Sequence, residues 1–496
     1  MPRAATGRLP TSANPGRLSM ERIPSKSADL SEWYQAVCYQ AELVSQAPVR
    51  GCLVLRPYGY GLWERLVAAL DTRFKETGHE NAYFPLLIPE SLLTKEAEHV
   101  EGFAPEVAWV TEGGNEKLTE RLAIRPTSEV IIGVMYAEWI QSYRDLPVLI
   151  NQWANVMRWE KRTRPFLRTA EFLWQEGHTA HATEQEAAEE VARMLEVYRE
   201  VAEDVCAVPV YKGEKSASER FAGANHTYSI EGLMPDGRAL QSATSHELGQ
   251  NFARAYDITF AAEDQTQQFC WTTSWGMSWR MLGALIMTHG DDRGLRIPPR
   301  IAPTEVVIVP IPRGDTTRLD EAVRELFRKC KEAGLRVKLD DRPGQSPGYK
   351  FNEWDLRGVP VRLEIGNRDL DAGVVTLVRR DKAVKEEGQK QQVPLDEVVA
   401  FIPAVLEQIQ HSLFAQAKTF LQDHTIATLD RDEFLRLLRE RAGMIDVPWC
   451  GRPECEAAVK AATSGTTRNL REPARADTCV PCGEPARYQA YFAQSY

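Results

Sequence analysis

The sequence lacks the features that mark membrane-spanning and secreted proteins. Among its 496 residues no apolar run approaches the ~18 residues needed to cross a bilayer, and the N-terminus has no apolar core of a secretory signal. Its nine cysteines are few for this length, and all but four near the C-terminus are scattered. This cysteine usage predicts reduced thiols and a cytoplasmic location. The lack of a long apolar run predicts no membrane association. Internal repeats are lacking as well.

An excess of positive charge is also lacking. The net charge is −10, which by itself does not point to a nucleic acid. Residues 296–400 carry 20 Lys and Arg against 18 Asp and Glu, so the acidic excess lies in the rest of the chain. Because local charge decides where a nucleic acid binds, such a partner stays open but is not indicated by charge.

The composition that is present is typical of an ordinary globular protein with several domains. Apolar residues make up 43% and charged residues 26% of the chain. At roughly 100–200 residues per domain, the length predicts about three domains. Changes of pattern place the boundaries after residues 19, 299 and 400. Residues 1–19 hold three arginines and no acid, and we interpret them as a disordered extension or a mis-assigned start; a transit peptide fits less well, because an amphipathic face is lacking.

Residues 20–299 read as an α+β domain. Leu62, Leu66, Leu70 and Phe74 recur every four residues and predict a helix that Gly78 ends. Strands without regular βαβ spacing predict an antiparallel sheet. The predicted helices cover residues 29–47, 62–77 and 183–206, and the predicted strands cover residues 82–89, 150–159, 172–175 and 239–249.

Residues 300–400 show a different pattern, in which strands and helices alternate over roughly 100 residues. This alternation predicts a small α/β domain. Residues 401–496 form a third unit, which begins within a helix predicted at 398–423. The strands of the α/β unit are predicted at residues 306–310, 335–339, 359–365 and 373–378, and its helix at 319–333.

Three stretches carry residues suited to nucleotide chemistry. They are the helix and proline-ended strand at 62–85, residues 158–172, and residues 276–285. In order, spacing and content they resemble motifs 1, 2 and 3 of class II aminoacyl-tRNA synthetases. Each arginine alone could be an ordinary surface ion pair, but the ordered set is specific. The resemblance implies an antiparallel-sheet catalytic domain.

Activation of an amino acid by ATP is the chemistry that this resemblance implies. A carboxylate meets the α-phosphate, and Arg158 would stabilise the transition state through a bidentate fork. Glu160 would accept from the adenine amino group, and Arg168 would hold the outer phosphates. Arg280 would lie on the adenine face as a cation–π partner. Arg158 and Arg280 are thus the catalytic candidates, and Mg²⁺ on the phosphates is expected.

Four further stretches narrow the amino acid. Residues 125–129 (RPTSE), 172–179 (FLWQEGHT), 241–252 (QSATSHELGQNF) and 273–276 (TSWG) resemble prolyl-tRNA synthetases of the archaeal- and eukaryote-like type. Proline offers a secondary ammonium, a carboxylate and an apolar ring, so its pocket needs an acid, a cation and apolar walls. The implied proline-binding residues are Thr127, Glu129, Arg158, Trp174, Glu176, His178, His246 and Ser274, with Phe221 as a further wall. The implied ATP-binding residues are Arg158, Glu160, Arg168, Thr169, Gln241, Thr244, Ser278 and Arg280.

Some features leave alternatives open or depart from the pattern. His178 and His246 could be buried structural histidines. Trp279 stands where many class II enzymes have a glutamate before the arginine of the third motif. Only about 100 residues separate the second and third motifs, which leaves no room for the large editing domain of bacterial-type prolyl enzymes. Mischarged alanine would then be cleared by another protein, if at all.

The unit at 300–400 resembles the anticodon-binding domain shared by prolyl, threonyl, histidyl and glycyl enzymes. The resemblance rests on residues 341–344, 347–354 and 364–366. Unpaired bases are read by stacking and by side-chain donors and acceptors. The candidates are Arg342, Lys350, Glu353 and Arg368, and each could equally be an ordinary surface charge.

Four cysteines near the C-terminus form the last constellation: Cys450, Cys455, Cys479 and Cys482. Glycines after Cys450 and Cys482 let the backbone turn toward a metal, and four sulfurs suit structural tetrahedral Zn²⁺. The alternative is a redox pair at Cys479 and Cys482 with two bystanders. Pro485 opposes it, because a redox C-x-x-C normally opens a helix. The site also resembles the C-terminal zinc domain of some archaeal-like prolyl enzymes.

The most consistent interpretation is a class II proline–tRNA ligase that joins proline to tRNA(Pro) at the expense of ATP. Such enzymes are commonly homodimers, so a dimer through residues 62–85 is expected. A threonyl-type enzyme is the first alternative, but the catalytic zinc ligands of that family are missing from the pocket motifs. A non-catalytic tRNA-binding paralogue is the second; such paralogues usually lose motif arginines, which are present here.

Overall fold

The computed structural model describes residues 23–99, 107–160 and 162–496. Residues 1–22, which include the predicted N-terminal extension, and Lys161 in the second motif lie outside the described residues. The helices are α1 Leu30–Gln40, α2 Pro57–Glu76, α3 Glu90–His99, α4 Glu129–Trp139, α5 Glu184–Glu200, α6 Asn251–Tyr256, α7 Arg280–His289, α8 Thr317–Glu332, α9 Pro347–Leu356, α10 Asn367–Asp371, α11 Val398–Asp423, α12 Arg431–Glu440 and α13 Pro453–Thr463.

Strands supply the framework of both large units. They are β1 Val44–Gln46, β2 Leu53–Leu55, β3 Glu80–Asn81, β4 Leu87–Pro89, β5 Trp109–Gly113, β6 Glu116–Ile124, β7 Val148–Met157, β8 Glu171–His181, β9 Tyr211–Glu214, β10 His226–Leu233, β11 Ala239–Gly249, β12 Thr259–Ala261, β13 Gln267–Phe269, β14 Trp271–Ser278, β15 Val306–Ile311, β16 Val337–Leu339, β17 Val361–Gly366, β18 Val374–Arg379, β19 Lys390–Pro394, β20 Thr425–Ala427, β21 Met444–Trp449, β22 Thr466–Arg471 and β23 Tyr488–Ala493.

An antiparallel sheet forms the centre of the catalytic unit, as the sequence predicts. Strands β9, β10, β11, β14, β8 and β7 pair in that order, each antiparallel to its neighbour. Helix α2 covers one face with the four residues of its predicted stripe, all fully buried. The Phe74 ring lies 5.1 Å from the ring of Trp275 on β14, so α2 supports the strand that carries the third motif.

The C-terminal unit continues this sheet. Its strands β20, β21, β23 and β22 extend the order beyond β9, and together they make eleven strands with β3 at the far edge. The junction is the pairing of Leu470 on β22 with Glu214 on β9. The C-terminal unit is therefore hydrogen-bonded to the catalytic sheet, which the sequence did not predict.

The α/β unit has its own five-stranded sheet, in the order β16-β15-β17-β18-β19. The first three strands are parallel and the last two antiparallel. Helices α8 and α11 bury their apolar faces against it, and these residues form a separate core. The predicted α/β pattern is present here.

Helix α11 is long and apolar enough, by length and composition, to cross a membrane. The expectation that no segment approaches this length was therefore wrong. Five residues of its apolar face lie in the core of the α/β unit: Val398, Ile402, Val405, Ile409 and Leu413. Core helices of soluble proteins pass the same test, so α11 is weak evidence for a membrane span.

Candidate active site and zinc centre

The register of three strands assembles the floor of the site. His178 on β8 pairs with Ser274 on β14, which pairs with His246 on β11. Two residues further along these strands, Glu176, Gly276 and Thr244 form a second row. Since alternate residues of a strand point to the same face, these two rows face one side together. Residues nearly 100 positions apart in sequence are thus neighbours in one surface.

A glycine makes this arrangement possible. Gly177 pairs with Trp275, and a Cβ on Gly177 would lie 2.1 Å from the Trp275 ring. Any other residue would displace the indole, so the glycine in the stretch 172–179 has a packing reason. The ring of Trp275 is fully buried beneath the floor.

The first cavity lies above this floor and has a volume of about 250 Å³. All eight predicted proline-binding residues line it. Five predicted ATP-binding residues line it as well: Arg158, Gln241, Thr244, Ser278 and Arg280. The Nε1 atom of Trp174 and the Oγ atom of Ser274 are buried and, within the described residues, have no hydrogen-bond partner. Such groups are costly to leave unpaired, so a polar ligand fits here.

One end of this cavity is acidic. Glu129 is the first residue of α4, and the hydroxyl of Thr127 donates to its carboxylate. Glu176 is buried, and it accepts from Ser128 and, at 2.8 Å, from Nε2 of Gln152. A helix N-terminus favours the negative charge of Glu129. The carboxylates of Glu129 and Glu176 can therefore bind a cationic group at this end of the cavity.

Glu176 and His178 form an ion pair, with 3.2 Å between Oε2 and Nε2. Burial alone would raise the pKa of Glu176, but hydrogen bonds from His178, Ser128 and Gln152 outweigh it and lower that pKa. Burial alone would lower the pKa of His178, but the bond and charge of Glu176 raise it. The raised pKa favours the charged form of His178, which is bound to Glu176 and also lines the cavity, so it combines the two roles considered for it.

Arg125 supports this end of the cavity without lining it. Its side chain is buried, and it donates from Nη1 to the carbonyl of Phe84 and from Nε to the carbonyl of Asn155. The guanidinium therefore holds the turn that carries Thr127 and Glu129 against neighbouring strands. This gives the arginine of the stretch 125–129 a structural role, since it lines neither cavity.

The second cavity adjoins the first and has a volume of about 560 Å³. Arg158 and Arg280 line both cavities, so they lie where the two meet. Arg158 donates from Nε to the carbonyl of Pro126, and its guanidinium lies 5.4 Å from the ring centres of Phe172 and Trp174. The other predicted ATP-binding residues at the second cavity are Glu160, Arg168, Thr169 and Ser278.

Arg168 is bound to Glu160, with 2.7 Å between Nε and Oε2. The sequence analysis assigns Glu160 to the adenine and Arg168 to the outer phosphates. Binding of ATP would therefore have to break this ion pair. The Oγ1 atom of Thr169 is buried and unpartnered among the described residues. Arg280 is fixed by a bond from Nε to the carbonyl of Leu167, and burial lowers its pKa, followed by the charge of Arg158.

The end of the chain also lines the second cavity, and sequence analysis missed it. Ser495 and Tyr496 lie beside Arg238, whose guanidinium is 5.3 Å from the Tyr496 ring. The Tyr496 hydroxyl donates to Asp236 at 2.9 Å, and its amide donates to the carbonyl of Ala239. No local pattern near residue 496 could have shown this, because the contact depends on the shared sheet.

The four anticodon candidates are differently placed. Arg342 joins the carboxylates of Asp340 and Glu353, each at 2.7 Å. Lys350 is buried, and its ammonium donates to the carbonyl of Asp340 at 3.0 Å, which differs from the expectation that it meets a base. Arg368 lies exposed in the first turn of α10. Of the two cations near Asp340, only Arg342 reaches the surface.

The four cysteines of the C-terminal unit converge, as the sequence predicts. Their sulfur atoms all lie within 4.8 Å of one another, and the neighbouring pairs are 3.3, 3.7 and 3.9 Å apart. A tetrahedral zinc with Zn–S bonds of about 2.3 Å has its sulfurs about 3.8 Å apart, so the set fits this metal. Gly451 and Gly483 both have positive φ, which is the turn expected after Cys450 and Cys482. The chain from Cys482 runs into β23 and not into a helix, against a redox motif.

The comparisons with known proteins cover nearly the whole chain. Family descriptions match in three places: tRNA synthetase class II core domain (G, H, P, S and T) at 109–289, anticodon binding domain at 305–404, and prolyl-tRNA synthetase, C-terminal, at 431–496. A proline–tRNA ligase of Symbiobacterium thermophilum is 55% identical over 96% of this chain and 99% of its own length. The chain belongs to the prolyl-tRNA synthetase family.

Other prolyl-tRNA synthetases agree with this. The proline–tRNA ligase of Rubrobacter xylanophilus is 53% identical over 96% of this chain and 99% of its own length. A crystal structure of prolyl-tRNA synthetase from Cryptosporidium parvum, complexed with halofuginone and AMPPNP, superposes with a TM-score of 0.91 at 39% identity. It covers 96% of this chain and 99% of the Cryptosporidium chain. Membership in the prolyl family contradicts the threonyl-type alternative.

Proposed function

We propose that this chain is an ATP-dependent proline–tRNA ligase that works in two steps. Proline and ATP first give prolyl-adenylate and pyrophosphate, and the terminal ribose of tRNA(Pro) then attacks the adenylate carbonyl. The observation that carries the proposal is the position of Arg158, at the meeting of a small cavity with two carboxylates and a larger cavity lined by arginines. The family relationship and the three matched regions support the same reaction.

In the first cavity, Glu129 would bind the secondary ammonium of proline and Arg158 the carboxylate. Trp174 and Phe221 would enclose the ring, and both line this cavity. The unpaired Oγ of Ser274 and Nε1 of Trp174 would find partners on the ligand. Glu176, with its charge already bound by His178, would orient the site and not meet the ammonium first.

In the second cavity, Arg280 would lie on the adenine and Arg168 would move from Glu160 to the outer phosphates. Glu160 would then be free to accept from the adenine amino group. Mg²⁺, when bound, would neutralise phosphate charge. Glu160 is the one side-chain carboxylate among the described residues that line this cavity, and it is assigned to the adenine, so phosphate oxygens and water would supply the ligands of the ion. The Cryptosporidium relative was solved in complex with AMPPNP, an ATP analogue, which supports a nucleotide as a ligand of this chain.

We also propose a homodimer formed through the first motif and a cytoplasmic location. Tyr83 is 73% exposed, and Leu87 and Trp139 are exposed at 36% and 44%. The ring of Trp139 lies 5.9 Å from that of Phe84, which follows Tyr83 in the chain. Exposed large apolar side chains near β4 suit contact with a second copy of the chain. All nine cysteines are free of disulfides, as a reducing compartment would leave them. Sedimentation at micromolar concentration tests the dimer, and a monomer would contradict it.

Pyrophosphate exchange with each of the twenty amino acids tests the proposed function. We expect strong exchange with proline alone and weaker exchange with alanine, since the first cavity excludes large side chains but holds small ones poorly. Exchange with threonine in place of proline would contradict the proposed function. No exchange with any amino acid, together with tight tRNA binding, would favour the non-catalytic paralogue.

Replacement of Glu129 by glutamine should raise the KM for proline far more than the KM for ATP. The reason is that Glu129 lines only the first cavity, whereas six of the eight predicted ATP-binding residues line the second. The loss of a charge-assisted hydrogen bond costs about 1.5–3 kcal/mol, so we expect a rise of about 10- to 100-fold. Steady-state exchange at varied proline and varied ATP measures both constants. Equal effects on the two substrates would show that Glu129 orders the whole site.

A further inference from the structure

Thr227 lines the first cavity with little exposed surface, and it takes part in two hydrogen bonds that the catalytic motifs do not explain. It is a residue of β10, 2% exposed, and pairs across the sheet with His246 on β11. Its hydroxyl oxygen accepts from the amide of Phe221 at 3.0 Å. The same oxygen lies 3.0 Å from Nδ1 of His246. One buried hydroxyl therefore connects the two residues that form a wall of the cavity.

The hydrogen-bond inventory of these groups decides which ring nitrogen carries the proton. The amide of Phe221 can only donate, so one lone pair of the Thr227 oxygen is used. The hydroxyl hydrogen needs an acceptor of its own, and among the described residues Nδ1 of His246 is the acceptor within reach. Nδ1 must then be bare. In a neutral imidazole this leaves the proton on Nε2.

The surroundings of His246 keep it neutral. Burial, followed by the charge of His178, lowers the pKa of His246 to about 3. The ring packs on Phe221 with 4.6 Å between ring centres. Within the part of the chain that the structure describes, Nε2 has no hydrogen-bond partner, and His246 lines the cavity. An Nε2–H group thus points toward the ligand space.

We propose that Thr227 is a positioning residue for the amino-acid site: its hydroxyl fixes His246 as the Nε2–H tautomer and holds Phe221 on the imidazole. This rests on the proposed function, since it assigns the first cavity to proline. The cavity then offers a neutral donor, and the group that matches it is an oxygen acceptor of the bound amino acid or its adenylate. The secondary ammonium of proline needs a hydrogen-bond acceptor, which Glu129 would supply.

A set of variants tests this role by pyrophosphate exchange with proline. T227V keeps the shape but removes both hydrogen bonds, and we expect it to raise the KM for proline about tenfold, with the KM for ATP changed less than twofold. T227S keeps the hydroxyl and should stay within about threefold of the parent. T273V is a matched control, because Thr273 is a buried threonine on β14 whose hydroxyl binds Thr179 and not a cavity residue. It should leave both constants unchanged.

A double-mutant cycle separates action through His246 from general damage. In an H246Q background the T227V change should cost less than twofold, because the imidazole it acts on is gone. An undiminished effect of T227V in that background would overturn the proposal. So would a KM for proline within twofold of the parent in T227V, or equal losses in T227S and T227V. If the parent itself shows no exchange with proline, the proposed function fails instead, which keeps the two failures distinct.

Discussion

Replacement of Arg158 by alanine should lower kcat/KM for proline-dependent pyrophosphate exchange by about 10²–10³ while the fold persists. Loss of one preorganised contact to the charge that develops in a transition state costs about 3–4 kcal/mol. Arg158 is the residue for which this applies most directly, because it lines both cavities and its neighbours hold the guanidinium in place. Exchange measured at varied proline and ATP, with circular dichroism as the check on folding, gives the result.

Two further variants make the Arg158 experiment specific. Arg158→Lys keeps a positive charge but loses the planar fork, so it should recover only a small part of the activity. Arg254→Ala removes an exposed arginine outside both cavities, whose guanidinium packs on Phe269, and should exchange like the parent. A folded alanine variant at position 158 within about threefold of the parent would contradict the assigned role.

Elements with a strong repeating pattern were predictable from the sequence. The helix now described as α2 carries its apolar stripe at a spacing of four, and α11 and β11 have the predicted bounds. The site residues were also predictable, because the motif stretches occur in the order, spacing and residue content that the sequence analysis recognised. All eight residues assigned to proline line one cavity, although the register that unites them depends on strand pairing across the whole sheet.

The elements that were missed depend on contacts distant in sequence. A helix was predicted over residues 29–47, but α1 ends at Gln40 and β1 follows. The backbone of Leu43 lies so close to Gly59 that a Cβ there would be 2.2 Å from the Leu43 carbonyl oxygen, so packing against α2 sets this segment. Likewise, only Leu87–Pro89 of the strand predicted at 82–89 is a strand. The amide of Phe84 is held by the side chain of Gln152 instead, and Pro85 has no amide to donate.

The predicted domain boundary at residue 400 falls within helix α11. The matched anticodon region ends at 404 and the matched C-terminal region begins at 431. Helix α11 therefore connects the α/β unit to the C-terminal unit, and it packs on the α/β unit. The boundaries stay predictions. The pairing of β22 with β9 shows, however, that the C-terminal unit is hydrogen-bonded to the catalytic unit. The order of the units in space therefore differs from their order in the sequence. Damage to the C-terminal unit can therefore reach the second cavity through β23 and Tyr496.

Substitution of Cys479 by serine should lower the zinc content from about one ion per chain to a small fraction and loosen the C-terminal unit. The sulfur of Cys479 has two close neighbours in the set, the sulfurs of Cys455 and Cys482 at 3.9 and 3.3 Å. Structural zinc contributes about 10 kcal/mol or more to small units of this kind. We therefore expect a lower unfolding temperature for this unit and protease cleavage between Cys455 and Cys479.

Activity should respond to the loss of zinc only indirectly, because the four sulfurs would leave the metal no open position for a substrate. The route for an indirect effect is β23, which leads from the cysteine region to Tyr496 beside Arg238 in the second cavity. The KM for ATP should accordingly rise more than the KM for proline. Cys52→Ser is the matched control, since Cys52 is a buried cysteine outside the cluster and its loss should leave the zinc in place. Less than about 0.2 zinc per parent chain by elemental analysis, with all four thiols titrating freely in the folded protein, would rule out the closed site.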